Sequence, residues 1–148
     1  MDPKQDSEKL MNAILPLAEK MLRQYGEFYP FGGYMKLDGT IVNVGAADPD
    51  TDRPKSKDLI YILRNSFQEM ARTNQCKAIA IVFDVAVTLP KSNLKSDAIQ
   101  VCVEHADGYS VEVFFPYRII DNELAYGETF AQQGKHEIFG QIGSKGTA

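Results

Sequence analysis

Cysteine and histidine are scarce in this 148-residue sequence, which has two of each. Cys76 and Cys102 have neither the number nor the spacing of a disulfide framework or a metal site, so we interpret both as reduced thiols. A Walker loop, a G-x-S-x-G elbow and an H-E-x-x-H motif are all missing. The sequence therefore predicts no catalytic residue, no cofactor and no metal site, and it favours a non-enzymatic protein over an enzyme.

Long apolar runs and clustered positive charge are missing as well. The longest apolar stretches fall well short of the roughly 20 residues that a membrane-spanning helix needs. Residues 1–10 carry mixed charges where a signal peptide would have a basic start and an apolar run. The 16 Lys and Arg residues are scattered, and the net charge is −4. Because nucleic-acid binding depends on clustered basic residues, we expect a cytoplasmic protein that binds neither membranes nor nucleic acid.

The composition is that of an ordinary globular domain. Hydrophobic residues make up 44% of the sequence and charged residues 24%, and a chain of this length can bury a substantial core. We expect a single domain over residues 1–148, in which the glycine- and lysine-rich residues 134–148 form a flexible tail.

The most regular part of the sequence predicts a β-hairpin around residues 106–108. Apolar and polar residues alternate on both sides of this loop, as in strands with one buried face. A two-residue turn would place Val103 beside Glu112, whereas a three-residue loop pairs Val103 with Val111 and keeps apolar side chains together. We therefore predict the three-residue loop, with Gly108 in the left-handed conformation.

The strand before this hairpin, Lys77 to Leu89, is apolar on both faces. A run of this kind is typical of a strand that is covered on two sides. One face carries small residues and Asp84, which is the one charge between Ala78 and Leu89. We expect the polar side chains of the neighbouring hairpin to lie on the same side as these small residues and to face water. They are Gln100, Glu104, Ser110 and Glu112.

Two amphipathic helices are predicted, over Asp2–Tyr25 and Lys57–Thr73. Asp2 can cap the first helix, and Pro16 should kink it or delay its start. Each helix has one apolar stripe and is expected to bury one side. The stripe of the first helix consists of Leu10, Ile14, Leu17, Met21 and Tyr25.

Turn sequences predict the remaining strands. Asp38-Gly39 predicts a two-residue turn that sets Met35 opposite Val42. Asp121-Asn122 predicts another turn, which sets Tyr117 opposite Tyr126. Pro116 cannot donate a hydrogen bond to its neighbour, so it is expected to mark a sheet edge or a bulge.

The order helix, two strands, helix and four strands predicts an α+β fold. With the helices on one face and the charges on the other, we expect a two-layer sandwich with an antiparallel sheet of five to six strands. The order resembles that of profilin-like or roadblock-like sheets, which have a helix, a hairpin, a helix and a three-stranded meander, but it adds a final strand. The alternative is the curved sheet of NTF2-like proteins, whose final four strands match.

Three segments resemble those of small bacterial single-domain proteins to which no activity is assigned. The segments are FYPFGGYM, FDVAVTLP and KSDAIQVCVEHADGYSVEVFFPY. The resemblance covers Phe28 to about Tyr126 and includes no catalytic motif, so it implies no activity for this chain.

Four side chains are candidates for a binding site: Tyr29, Tyr34, Asp84 and His105. They would line a pocket between helices and sheet if the chain were a small enzyme or an NTF2-like ligand carrier. By itself His105, at the end of its strand, favours a structural histidine, and the aromatic segment around Tyr29 is typical of core packing.

The loop with Asp48, Asp50 and Asp52 begins like a calcium loop. It lacks the glycine and the distal glutamate of an EF-hand, and prolines break it. We therefore predict no specific divalent metal site in this loop.

We expect a non-enzymatic binding or regulatory module that acts through a sheet surface and has a protein partner. The alternative is a small enzyme or ligand carrier with the pocket described above. We also expect a homodimer, because the small-residue face of the long strand would otherwise lie open beside Asp84. The competing explanation is that residues 137–142, with Ile138 and Phe139, fold back over that face.

Overall fold

The computed structural model describes residues 2–140, and within them the chain forms two helices and one sheet of seven strands. The helices are α1 (Pro3–Tyr25) and α2 (Ser56–Arg72). The strands are β1 (Phe31–Met35), β2 (Ile41–Val44), β3 (Ala78–Thr88), β4 (Lys95–His105), β5 (Ser110–Ile120), β6 (Glu123–Tyr126) and β7 (Phe130–Gln133). Neighbouring strands are antiparallel, in the order β2-β1-β3-β4-β5-β6, and β7 also pairs with β5. The predicted α+β class with an antiparallel sheet is confirmed, with more strands than the five to six expected.

Asp2 caps the start of helix α1, as predicted. The Asp2 carboxylate accepts a hydrogen bond from the backbone N–H of Gln5 at 2.7 Å, which satisfies a free donor of the first turn. The helix continues through Pro16 and ends at Gly26. Its buried apolar side chains are Leu10, Ile14, Ala18 and Leu22. The predicted stripe is therefore wrong at Leu17 and Tyr25, which are 36% and 73% exposed.

The two helices cover opposite faces of β3, which gives the molecule three layers. In the first half of β3, the even-numbered residues 78–82 pack with α1 in a first core cluster, and the odd-numbered residues 79–83 pack with α2 in a second. The first cluster includes Leu10, Ile14, Ala78, Ala80, Val82 and Val101. The second includes Leu63, Phe67, Ile79, Ile81, Ile138 and Phe139. The predicted two-layer sandwich is corrected, because each helix buries its stripe against a different face.

The pairing of β3 with β4 explains why the small-residue face of β3 is not open to solvent. Ala80 pairs with Val103 and Ile81 pairs with Cys102, so the small-residue face of β3 continues the apolar face of the β4–β5 hairpin. Ala80 and its neighbours on that face are fully buried under α1. The open strip that suggested a homodimer is therefore not present, and Ile138 and Phe139 lie on the other face of the sheet. The homodimer itself stays a prediction.

The loop between β4 and β5 is the predicted three-residue loop. Val103 pairs with Val111, and the His105 N–H donates to the Tyr109 carbonyl at 2.8 Å. Gly108 has a φ of 96°, the left-handed conformation that this loop requires.

The loop between β1 and β2 also has three residues, where a two-residue turn was predicted. Met35 pairs with Ile41 instead of Val42, and the Lys36 N–H donates to the Thr40 carbonyl at 2.8 Å. The prediction was wrong because four of the five residues of β1 are buried, on both faces of the strand. Either register would therefore place apolar side chains together.

Strands β6 and β7 run along the same edge of β5 and are separated by a bulge. Tyr117 pairs with Tyr126 as predicted, and Phe114 pairs with Phe130, so residues 115–116 face residues 127–129. The Gly127 N–H donates to the carbonyl of Pro116 at 2.8 Å. Pro116 thus lies opposite the bulge, where the pairing of the strands does not require an N–H from this residue.

Candidate functional site

A groove of about 100 Å³ opens on the face of the sheet that carries α2. Its floor is formed by β3, β4 and β5, one wall by α2, and the other wall by residues 134–139, which we call the strap. Apolar lining comes mainly from Ile60, Ile79, Ile81, Phe83 and Ile138. Polar lining comes from Arg64, Gln100, Cys102, Glu104, Ser110, Glu112, Lys135 and Glu137.

The buried carboxylate of Glu104 anchors the strap. Its oxygens accept hydrogen bonds from the backbone N–H groups of Glu137, Ile138 and Phe139 at 3.0, 3.1 and 3.3 Å. Glu104 is 8% exposed. Burial raises the pKa of Glu104 above its ordinary value, and the three donors offset only part of this effect.

The strap is also tied to α2. Arg64 Nε lies 2.7 Å from Glu137 Oε2, and the side-chain amide of Gln68 donates to the Glu137 carbonyl at 2.8 Å. Ile138 and Phe139 are buried in the second core cluster. The structure thus places residues 134–139 against the sheet, in the region expected to form a flexible tail, while residues 141–148 of that tail lie outside the described residues.

The floor of the groove contains a buried carboxylate with a neutral partner. Glu112 is 7% exposed, and its Oε1 accepts a hydrogen bond from Gln132 Nε2 at 2.6 Å. Cys102 is its cross-strand neighbour, and Gln100 Nε2 lies 3.3 Å from Cys102 Sγ. The prediction that these polar side chains face water is wrong for Glu104 and Glu112, because α2 and the strap pack on this face and β7 pairs beside β5.

The groove is poorly suited to nucleophilic chemistry by its thiol. Burial raises the pKa of Cys102 to about 12, and the Glu112 carboxylate adds to the effect. The thiol is therefore protonated at neutral pH and is not activated as a nucleophile. Burial likewise raises the pKa of Cys76 to about 11. Neither His105 nor His136 lines the groove.

His105 belongs to a separate buried cluster on the α1 side of the sheet. Its Nδ1 accepts a hydrogen bond from the Asp107 N–H at 3.0 Å, so Nε2 of the neutral ring carries the proton and donates to Asp6 Oδ2 at 2.9 Å. Lys77 Nζ lies 3.3 Å from the same oxygen. Burial alone would raise the pKa of Asp6, but the hydrogen bonds from His105 and Lys77 outweigh it and hold that pKa below its ordinary value. Both ring nitrogens are engaged within the protein, as in a structural histidine.

The four residues predicted to line one pocket are not brought together. Tyr29 is 56% exposed before β1, and Tyr34 packs against Phe67 on the α2 side. Asp84 accepts a hydrogen bond from the Tyr117 hydroxyl at 2.8 Å on the α1 side. His105 pairs with Ala78, six residues along β3 from Asp84, or about 20 Å at roughly 3.3 Å per residue. None of the four lines the groove, and their role in binding stays a prediction.

Sequence reasoning placed Gln100, Glu104, Ser110 and Glu112 on one face of the hairpin, but it missed the α2 and strap residues that form a groove over them. Arg64 and Glu137 are distant in sequence, and nothing in the helix pattern indicates that they meet. The one available signal was the apolar pair Ile138 and Phe139 in a glycine-rich segment, which suggested a return to the sheet but not the face on which it occurs.

The acidic loop forms a turn. Asp48 Oδ1 accepts a hydrogen bond from the Asp50 N–H at 3.0 Å, the use that such residues commonly have in turns. Within residues 2–140, no group of three or more His, Cys, Asp or Glu side chains is placed to hold a metal ion. None of the helices in this part of the chain has the length and apolar character that crossing a membrane requires.

Compared with known proteins, the chain matches no family model, and no curated protein or solved structure matches it significantly. The groove is therefore interpreted from its own geometry.

Proposed function

We propose that the chain is a non-enzymatic binding module whose groove receives a side chain of a protein partner. The observation that carries the proposal is the buried carboxylate of Glu112, which lies at the floor of an open groove and has a neutral hydrogen-bond partner. Polar groups placed in a mostly apolar concave site are what gives such sites their specificity.

The size of the groove supports a side chain as the occupant. Cavities that bind drug-sized molecules or cofactors have volumes of about 300 to 1,000 Å³, whereas this groove has about 100 Å³. Since a water molecule takes about 30 Å³ of liquid volume, the groove has room for a few heavy atoms. That suits the end of one side chain whose backbone stays outside.

The protonated thiol and the distance of the histidines support binding over catalysis. A small enzyme that uses a thiol nucleophile or a histidine base would need such a group, in its reactive form, facing the bound molecule. Cys102 is the one thiol in the lining, and its raised pKa keeps it neutral.

Nuclear magnetic resonance titration tests the proposal with small analogues of side chains. The panel is methylguanidinium, methylammonium, N-methylurea and acetate. At least one analogue is expected to shift the backbone amides of Gln100, Cys102 and Glu112 saturably. Cys102→Phe fills the groove and should abolish these shifts, whereas Thr88→Phe, a control at an exposed position of β3 outside the groove, should keep them. Shifts that persist in Cys102→Phe, or none in the wild type, would contradict the proposal.

A second copy of the chain is retained as a proposed partner, on a different surface. Beyond Val82 no residue of β3 is fully buried, and four large apolar side chains are exposed near this end of the sheet. They are Leu94 (65%), Ile119 (38%), Ile120 (51%) and Tyr126 (42%). Exposed apolar side chains grouped in this way favour contact with another protein surface.

The architectural class and the location in the cell belong to the same proposal. The order of elements through β5 supports a profilin-like or roadblock-like sheet, and β6 with β7 departs from it in the direction of an NTF2-like sheet. A cytoplasmic location is consistent with two unpaired cysteines.

A further inference from the structure

We infer that the groove recognises a cationic group, the guanidinium of an arginine or the ammonium of a lysine on a partner protein, through the carboxylate of Glu112. This inference rests on the proposed function and names the chemistry of the side chain that is bound.

The first argument is the burial of Glu112 without a countercharge. Its side chain is 7% exposed, and among residues 2–140 it takes part in no ion pair. An ionised carboxylate has about four lone-pair positions, and the described contacts use one of them, for the amide of Gln132. Because buried charges in proteins are normally paired, a cation from outside the chain would complete this site.

The second argument is that the other carboxylates of the lining already have partners. Glu104 is bound by three backbone N–H groups of the strap, and Glu137 is paired with Arg64. Lys135 is the remaining cation of the lining, and it is exposed on the strap. Glu112 is thus the carboxylate that is available to a ligand. Lys135 is the cation of the chain that would compete with the ligand for this carboxylate.

The third argument is the apolar surface beside the carboxylate. Ile81 and Phe83 of β3 and Ile60 of α2 line the same groove. Arginine and lysine bury their methylene stems along apolar surface while the charged end stays with polar groups. A guanidinium can also stack on an aromatic face such as that of Phe83. The lining therefore matches both parts of a long basic side chain.

The test compares charged and neutral analogues on the full chain. Methylguanidinium or methylammonium should shift the amides of Gln100, Cys102 and Glu112 saturably, and N-methylurea and acetate should bind at least roughly tenfold more weakly, because hydrogen bonds to charged groups are the stronger ones. Binding of the cation should weaken as salt is added.

Variants identify the carboxylate. Glu112→Gln keeps the shape of the side chain and should weaken cation binding by roughly tenfold or more. Glu123→Gln, which removes an exposed carboxylate of β6 outside the groove, should leave binding unchanged. Lys135→Ala removes the competing cation of the lining and should make binding of the cation tighter.

The outcomes separate this inference from the proposed function. Binding of N-methylurea equal to that of methylguanidinium, unchanged binding in Glu112→Gln, or loss of binding in Lys135→Ala would overturn the cationic ligand while the groove stays a binding site. Should Glu112→Gln fail to fold, the comparison of charged and neutral analogues on the wild-type chain decides. Absence of any saturable shift at the groove would defeat both.

Discussion

Gly108 shows how one residue fixes a register. It has a φ of 96° in the three-residue loop between β4 and β5. A residue with a Cβ is strained in this conformation, so Gly108→Ala should lower the free energy of unfolding by about 1 kcal/mol or more. Urea denaturation measures the change. Gly45→Ala is the matched control, because Gly45 does not have a positive φ and a Cβ there would meet no atom within 4 Å.

Because of Asp6, we expect the folded chain to lose stability in acid. Its hydrogen bonds to His105 and Lys77 hold its pKa in the folded state below the ordinary value of 3.8. Between those two values the unfolded chain binds more protons, so the stability that Asp6 contributes above 3.8 is lost as the pH falls through the folded value. Urea denaturation at decreasing pH should show a shallower loss for Asp6→Asn than for the wild type. Asp52→Asn, in the exposed acidic loop, should keep the wild-type slope.

For Asp84 we expect stability to depend on pH in the opposite direction. Burial raises its pKa above 3.8, and the hydrogen bond from Tyr117 offsets this only in part. Between the ordinary and the raised value the folded chain binds more protons, so stability falls as the pH rises through this window. Asp84→Asn retains an acceptor for Tyr117 without the charge, and it should be more stable than the wild type at pH 7. Lower stability of Asp84→Asn at that pH would contradict the argument.

At the scale of the element, the accuracy of the sequence reasoning depended on how many faces of a strand are buried. Strands β4 and β5 alternate clearly, so the wrong register would have set Val103 beside Glu112, and it could be rejected before the structure was known. Strand β1 is buried on both faces, so alternation could not distinguish the two registers around Asp38-Gly39. The sequence grouped Gln100, Glu104, Ser110 and Glu112 on one face of the hairpin, but the walls of the groove could not be predicted, because Glu137 reaches Arg64 only through tertiary packing.

We expect that the strap can be released from the sheet while the rest of the chain stays folded. Glu104→Ala removes the acceptor of three strap N–H groups and should cost about 2 kcal/mol or more, since buried donors left without partners are expensive. Hydrogen exchange at the amides of residues 137–139 should become faster. Glu137→Ala is the control on the same strap: it removes a half-exposed ion pair with Arg64, which is typically worth less than about 1 kcal/mol. Equal effects of the two variants would mean that Glu104 is not the anchor.

At the scale of the whole molecule, the three-layer arrangement was indicated by the sequence but assigned to the wrong cause. The run from Ala78 to Val82 is apolar on both faces, which correctly indicated two covered sides. The stripe of a helix shows that the helix packs on something, and it does not show on which face of the sheet. The second cover was therefore attributed to another copy of the chain, whereas it is α1 for one face and α2 for the other.

We therefore expect the homodimer to form through the exposed end of the sheet that carries Leu94, Ile120 and Tyr126. Sedimentation of the wild-type chain should show a dimer, and Ile120→Lys should convert it to a monomer because a charge would enter the apolar contact. Leu37→Lys is the control, since Leu37 is 61% exposed in the β1–β2 loop at the opposite end of the sheet. A monomeric wild type, or a dimer that persists in Ile120→Lys, would refute this surface.

During synthesis the two core clusters become complete at different times. The buried residues of the first cluster lie between Leu10 and Tyr117, whereas the second needs Ile138 and Phe139. A growing chain, which folds from its N-terminal side, can therefore close one face of the sheet while the other still waits for the strap. Over that interval Glu104 remains hydrated, because its three N–H partners have not yet been made. A solvated charge at this position makes the unfinished face less prone to associate with other nascent chains than an apolar residue would.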